Sequence, residues 1–362
     1  MSRESDDYES IVKSTSDEDI ARFEDDRKGV LAQIQHALHV NPALVPLFVL
    51  LVSIAVFGLL LGSKFFSPFA LTLILQQVQI VGIVAAAQSL VILTAGIDLS
   101  VGAIAVLSSV IMGQFTFRYG LPVEIAVMCG LAFGTIIGAI NGWLVAAMKL
   151  PPFIVTLGMW QIVLAANFLY SANETIRGQE IEADAPLLQL LGTTFKIGAD
   201  AEGRGGATFT YGVIAMVLIF AILAYVLSQT AWGRHIYAVG DDPEAAQLSG
   251  VNVRATLISV YAVTGFICAI AGWALIGRIG SVSPTSGQLL NIESITAVVI
   301  GGISLFGGRG SIMGPLFGAL IVGVFTLGLR LAGADAQWTF LLIGVLIIGA
   351  VAVDQWIRKV SS

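Results

Sequence analysis

Polar positions in this chain fall in short clusters between apolar runs, and most of those runs approach the roughly 20 residues that a bilayer-spanning helix needs. Ten runs stand out: Leu44–Leu61, Leu71–Thr94, Val101–Gly113, Glu124–Met148, Phe153–Tyr170, Tyr211–Gln229, Thr256–Ile276, Ser294–Phe306, Ile312–Leu329 and Trp338–Ile357. The third and eighth are short and read as partial or broken spans. The pattern predicts an all-α membrane protein of about ten transmembrane helices, and five spans per half would leave the halves inverted relative to each other. Sequence echo between the halves is slight: Gly96-Ile97-Asp98-Leu99 is similar to Gly302-Ile303-Ser304-Leu305, but at positions that do not correspond.

Within the runs, two polar patterns matter. Gln76, Gln77, Gln79 and Gln88 share the second, where an amide facing lipid is costly, so they are expected to point into the bundle. Gly130, Gly134, Gly138 and Gly142 recur every four residues in the fourth, a stripe that lets another helix approach backbone to backbone. Helix packing is the reading for that stripe.

Composition narrows the class further. With 56% hydrophobic and 12% charged residues this is no ordinary soluble domain. The formal charge of −6 belongs almost wholly to Met1–Lys28, which holds ten acids and five bases. The rest is nearly neutral, so neither nucleic-acid binding nor a polybasic lipid site is indicated. Two regions follow: an acidic tail over residues 1–40, in which Gly29–Val40 reads as an amphipathic surface helix, and a transmembrane domain over 41–362. The acidic start lacks the pattern of a cleavable signal peptide. Cys129 and Cys268 sit in apolar runs as small packing residues, and His36, His39 and His235 show no metal-ligand spacing. Basic flanks place both termini in the cytoplasm, together with Lys149, Arg234, Arg254 and Arg309. The long polar segment Ser171–Thr208 then lies outside.

One polar interruption, Gly233–Val253, has the grammar of a short helix. Asp241 or Asp242 can cap it, Pro243 suits its first turn, Glu244–Leu248 favours helix, and Gly250 can stop it. Gly240 and Gly250 are expected to permit turns at its ends. Such a helix between two spans serves either as an ordinary loop helix or as a docking element. If it docks, Ala245 and Ala246 are where added bulk would obstruct a partner. Asp98 has two readings, N-cap of the third span or substrate contact. No P-loop, nucleophile elbow or H-E-x-x-H motif is present, so a nucleotide-driven process would need a second polypeptide.

Four stretches together carry a family resemblance. They are Ala95–Ala103 (AGIDLSVGA, with Gly96, Asp98, Ser100 and Gly102), Pro152–Gly158 (PFIVTLG), Gly233–Val253, and Gly301–Gly323 (GGISLFGGRGSIMGPLFGALIVG, with Gly307, Gly308 and Arg309). The chain from Leu44 to Ile357 resembles the permease subunit of bacterial ABC sugar importers of the ribose/xylose/galactose/fructose group. The resemblance implies a homodimer of permeases in the inner membrane, a cytoplasmic subunit that holds ATP and Mg, and a periplasmic sugar-binding protein. It also implies that Gly233, Arg234, Gly240, Asp242, Pro243, Glu244, Ala245, Ala246 and Gly250 form the coupling loop. No cofactor is expected in this chain. Gln76, Gln79, Gln88, Asn141, Gln161 and Asn167 either line a sugar path or act as interhelical glue. A secondary sugar transporter, a channel-like facilitator and a branched-chain amino-acid permease are the alternatives.

Overall fold

A computed structural model describes residues 43–198 and 206–361, with backbone alone at 336, 350 and 353–361. The acidic tail and the surface helix expected at Gly29–Val40 lie outside the described residues. Each of the ten expected spans is helical: α1 (Leu44–Leu61), α2 (Pro68–Leu93), α3 (Val101–Phe117), α4 (Val123–Ala147), α5 (Pro152–Ser171), α7 (Tyr211–Gln229), α10 (Val253–Ile279), α11 (Leu290–Ile300), α12 (Met313–Leu331) and α13 (Ala336–Ser361). Among the described residues, seven helices are long and apolar enough to cross a membrane, while α3, α11 and the apolar part of α13 are shorter. Local chemistry sets the starts. Ser67, Thr210 and Asn252 cap α2, α7 and α10 through side-chain oxygens, and Pro68 and Pro152 occupy first-turn positions.

The long segment between α5 and α7 is more structured than its polarity suggests. It contains a short helix α6 (Gly178–Asp184), a 3-10 stretch at Pro186–Gly192, and strands β1 (Thr194–Ile197) and β2 (Ala207–Thr210). The strands pair antiparallel with Phe195 opposite Phe209, the one sheet among the described residues of an otherwise all-α fold. The eighth span also differs from expectation. It starts at Leu290 and stops at Ile300, because Gly302 takes a positive φ of 77° and the following residues to Ile312 run as irregular chain.

Two helices form the centre. In both α2 and α10 about two thirds of the apolar window (67%) is buried, against 28% in α1, α4 and α5. The glycine stripe of α4 admits a close helix as expected, and that helix is mainly α10: Gly134 and Gly265 abut, Gly138 lies against the Tyr261 carbonyl, and Gly142 against Ile258, while Gly130 faces Met112 of α3. A hydrogen in place of a side chain at each lets two backbones close, which in lipid is a main source of helix affinity. Cys268 is buried in α10 and Cys129 half-buried in α4, and both are free thiols.

The two central helices are each followed by irregular chain and a shortened helix, an echo of architecture that the sequence only hinted at. Depth can be read from neighbours. Gly96 lies by Tyr261, Gly272 against Ala105, and Gly113 beside Val282, so α3 starts near the middle of α10 and runs toward its C-terminal end. At the same level, Gly102 abuts Leu290 and Asn291, and α11 runs the opposite way until Gly301 packs on Gly314. Eleven residues of α11 rise about 17 Å, roughly half the ~30 Å hydrocarbon core. Two partial helices therefore meet N-terminus to N-terminus at mid-depth.

The stripe gives a direct test. A Cβ on Gly138 meets Tyr261 O and lies 3.1 Å from Gly265 N, whereas one on Gly158 meets nothing within 4 Å. Gly138→Ala is expected to destabilise the protein by about 1–3 kcal/mol. Gly158→Ala is expected to be neutral or to stabilise by up to ~1 kcal/mol through helix propensity. Thermal unfolding in detergent separates the two.

Candidate functional site

Three irregular segments converge at one end of the membrane body: the turn after α2, the helical pair that follows α7, and the glycine loop after α11. The turn, Thr94–Ser100, buries Thr94, Gly96, Asp98 and Ser100 among helices while Ala95 is exposed. Most of its polar groups are met by side chains, and Asp98 Oδ2 is the buried atom left without a partner. With the Gln88 amide oriented by its partners, Nε2 donates to Asp98 O at 3.0 Å and Oε1 accepts from Asp98 N at 3.2 Å. Thr156 Oγ1 donates to Ile97 O at 3.0 Å, and Asn291 Nδ2 to Leu99 O at 3.5 Å. Non-helical backbone at membrane depth is tolerated only where protein satisfies it in this way.

Asp98 is fully buried and its carboxylate holds the turn from inside. Oδ1 accepts from Ser100 N at 2.7 Å and from Ser100 Oγ at 2.6 Å, and Ser100 Oγ accepts in turn from Asn141 Nδ2 at 2.9 Å. Asp98 is thus not the N-cap of α3. Ser100 holds that position, and Asp98 braces the residues before it. The spacing Asp-Leu-Ser allowed either geometry, because an Asx turn and an N-cap use the same short side chain.

The interruption between α7 and α10 is a pair of helices rather than one. After Thr230, whose hydroxyl caps it, α8 (Ala231–Asp241) packs on the body through Ile236 and Val239. Tyr237 donates to Gly310 O at 2.9 Å, and burial lifts its phenol above the usual range, which keeps it a donor. Asp242, not Asp241, then caps α9 (Pro243–Leu248), accepting from Glu244 N at 2.9 Å and Ala245 N at 3.0 Å. Gly250 ends it with φ of 87°, the positive value glycine was expected to supply.

Gly240 has a different role from the turn expected of it. It lies within α8, buried, and a Cβ there would strike Leu93 O at the end of α2. Gly308 N donates to that same carbonyl at 3.0 Å. A Cβ on Gly307 would lie 2.7 Å from both Ala95 N and Gly240 O, and one on Gly308 2.8 Å from Asp241 Cα. Gly307 and Gly308 hold φ of 81° and 69° to make this fit. The GGRG wording marked a turn, but nothing in a linear pattern shows which backbone it meets. Gly233 is likewise buried, against the backbone of Leu227, while Arg234 and Arg309 are exposed beside the joint.

On α9 the exposed face is Pro243, Glu244, Ala245, Gln247 and Leu248, and Leu248 stands 90% exposed. Ala246 does not belong to that face. It is buried against its own chain, because in so short a helix one residue per turn must face the body. Periodicity alone does not say which residue that is.

The amides expected to line a path disperse to different places. Gln88 and Asn141 belong to the Asp98 network. Gln79 is buried and accepts from the Thr210 hydroxyl at the start of α7. Gln76 lines a cavity of about 90 Å³ with Gln77, Thr326, Arg278 and Arg330, where Arg278 donates to Gln77 Oε1 at 2.6 Å. Gln161 is exposed on the surface of α5. Asn167 is buried by a second cavity, with Nδ2 donating to Pro284 O at 2.8 Å. That cavity also touches Trp160, Gln288 and Asn291, which the pattern did not single out because Gln288 and Asn291 lie between apolar runs and Trp160 is isolated within one.

A helical bundle built round partly buried irregular turns, with a short capped helix at its surface, defines a polytopic membrane protein. The chain belongs to the family described as branched-chain amino acid transport system / permease component, which matches residues 70–351. It is 68% identical to the fructose import permease protein FrcC of Rhizobium meliloti, over 99% of this chain and 97% of that protein. The ribose import permease protein RbsC of Bacillus subtilis is 36% identical over 85% of this chain and 90% of its own. The galactose/methyl galactoside import permease protein MglC of Escherichia coli is 32% identical, covering 85% and 92%. No solved structure gave a significant match.

The Asp98 brace yields a test that separates fold from transport. Asp98→Ala strands the Ser100 amide and hydroxyl and is expected to cost about 1–3 kcal/mol, with poor assembly in the membrane. Asp98→Asn keeps an acceptor oxygen and is expected to assemble and transport nearly normally. A well-assembled Asn variant with no transport would instead assign the carboxylate a direct role.

Proposed function

We propose that the chain is the translocation subunit of an ATP-driven monosaccharide importer in a bacterial inner membrane, with both termini in the cytoplasm. What carries this reading is the 68% identity, end to end, with a protein named for fructose import. Fructose is therefore the first sugar to test. The broad family description covers amino-acid permeases too, but the relatives quoted above are named for sugars.

In this reading two copies of the permease pair across the bilayer. Each takes sugar from a periplasmic binding protein and engages a cytoplasmic ATP-binding subunit, which holds ATP and Mg. The docking element is α8–α9. Its geometry supports that role: the Asp242 cap and Pro243 stiffen a one-and-a-half-turn helix, and Leu248 presents an apolar side chain to water with no partner in its own chain. Basic flanks favour the cytoplasm for that end.

The experiment is reconstitution in vesicles with the cognate ATP-binding subunit and binding protein. ATP-dependent fructose uptake is expected. Leu248→Glu places a charge at the centre of the docking face. It is expected to leave the permease folded, weaken co-purification of the ATP-binding subunit by roughly 30-fold, equivalent to about 2 kcal/mol, and abolish uptake. Uptake driven by an ion gradient without ATP would indicate a secondary transporter, and uptake of leucine in place of sugar an amino-acid permease.

A further inference from the structure

The meeting of the two partial helices leaves a cavity at mid-depth that the packing does not explain. Its volume is about 20 Å³, room for one water, and its wall includes Gly102, Trp160, Asn167, Ser286, Gln288 and Asn291. Asn167 is only 1% exposed, and while its Nδ2 is committed to Pro284 O, its Oδ1 has no partner. A buried amide oxygen left unpaired in a membrane protein is costly, and the cost is removed when a hydroxyl donates to it.

The surroundings suit that donor. Neither α3 nor α11 carries a side-chain cap at its start, so both N-terminal ends bring partial positive charge to the junction, which favours the lone pairs of an oxygen ligand. No lysine, arginine, aspartate or glutamate lines the cavity, so nothing there would hold an ion. Trp160 adds an aromatic wall, and Gln288 is exposed at the mouth with a donor and an acceptor to offer. Gly102 matters by what it lacks: a Cβ there would lie 3.0 Å from Asn291 N and 3.2 Å from Leu290 Cβ. Positive φ values at Gly280 (73°) and Gly287 (65°) bracket the segment that forms one side.

We propose that this junction is a binding subsite for a neutral polyhydroxylated ligand within each permease protomer. Sugar hydroxyls pair with Asn167 Oδ1, Gln288 and Asn291, and a C–H face rests on Trp160. A whole monosaccharide exceeds one water several-fold, so occupancy requires the Gly280–Gly287 segment to give way from α5. The proposal rests on the sugar-importer reading and adds that the permease itself recognises its cargo instead of offering an inert passage.

The test is tryptophan fluorescence of the purified full-length permease, without its ATP-binding subunit or binding protein, titrated with fructose, ribose and galactose and with leucine as control. A saturable change with at least one sugar is expected, absent in Trp160→Phe. Asn167→Leu should weaken it by about tenfold or more. Because Asn167 also holds Pro284, Trp160→Phe serves as the variant that keeps every hydrogen bond described here. In vesicles with saturating binding protein, Trp160→Phe should lower the uptake rate while co-purification of the ATP-binding subunit stays unchanged. No saturable signal up to the solubility limit, or one that Trp160→Phe and Asn167→Leu leave intact, overturns the subsite. If the vesicles still import sugar in that case, the sugar-importer reading stands without it.

Discussion

A contact between bare backbones joins α8, the end of α2 and the loop after α11. Gly240 in α8, the Leu93 carbonyl that ends α2, and Gly307 and Gly308 in the loop after α11 fit so closely that no side chain could stand between them. Main chain against main chain is stiff, since it has no rotamers to absorb displacement. If α9 docks as proposed, a push on its exposed face would pass through α8 to the end of a central helix. The same contact places α8 beside the Asp98 turn, whose own bonds reach α2, α3, α4, α5 and α11.

Membrane burial explains why the turn is so thoroughly braced. An irregular segment in an apolar surround loses more from each unmet N–H or C=O than a helix does, because water cannot substitute. The chain pays for two such segments, Thr94–Ser100 and the stretch before α11. What they gain is a pair of helices that start at mid-depth. Continuous spans would leave no helix ends there.

Much of the architecture was legible in the sequence. Apolar run length located the ten long or apolar helices, with the eighth shifted toward its N-terminus, the four-residue glycine spacing in α4 indicated a close helix neighbour, and Asp242, Pro243 and Gly250 spelled out α9. The site was legible mainly as wording. Gly240 looked like a turn residue but serves a contact with Leu93, and Ala246 looked like docking surface but faces its own chain, because a local pattern carries no information about partners distant in sequence. The amides offered as path or glue were legible only as polar positions. Gln88 and Asn141 join the Asp98 network, Gln79 meets Thr210 and Asn167 meets Pro284, while Gln161 is exposed. The hairpin β1–β2 escaped notice because its strands are only four residues long.

The most direct test of the central contact is Gly240→Ala, read by uptake and ATP hydrolysis in the same vesicles. One methyl group at this position separates α8 from the end of α2 without altering the exposed face of α9. The account predicts that the variant still binds its ATP-binding subunit and still supports hydrolysis, while sugar uptake per ATP falls by about tenfold or more. Wild-type uptake and wild-type coupling in Gly240→Ala would contradict it.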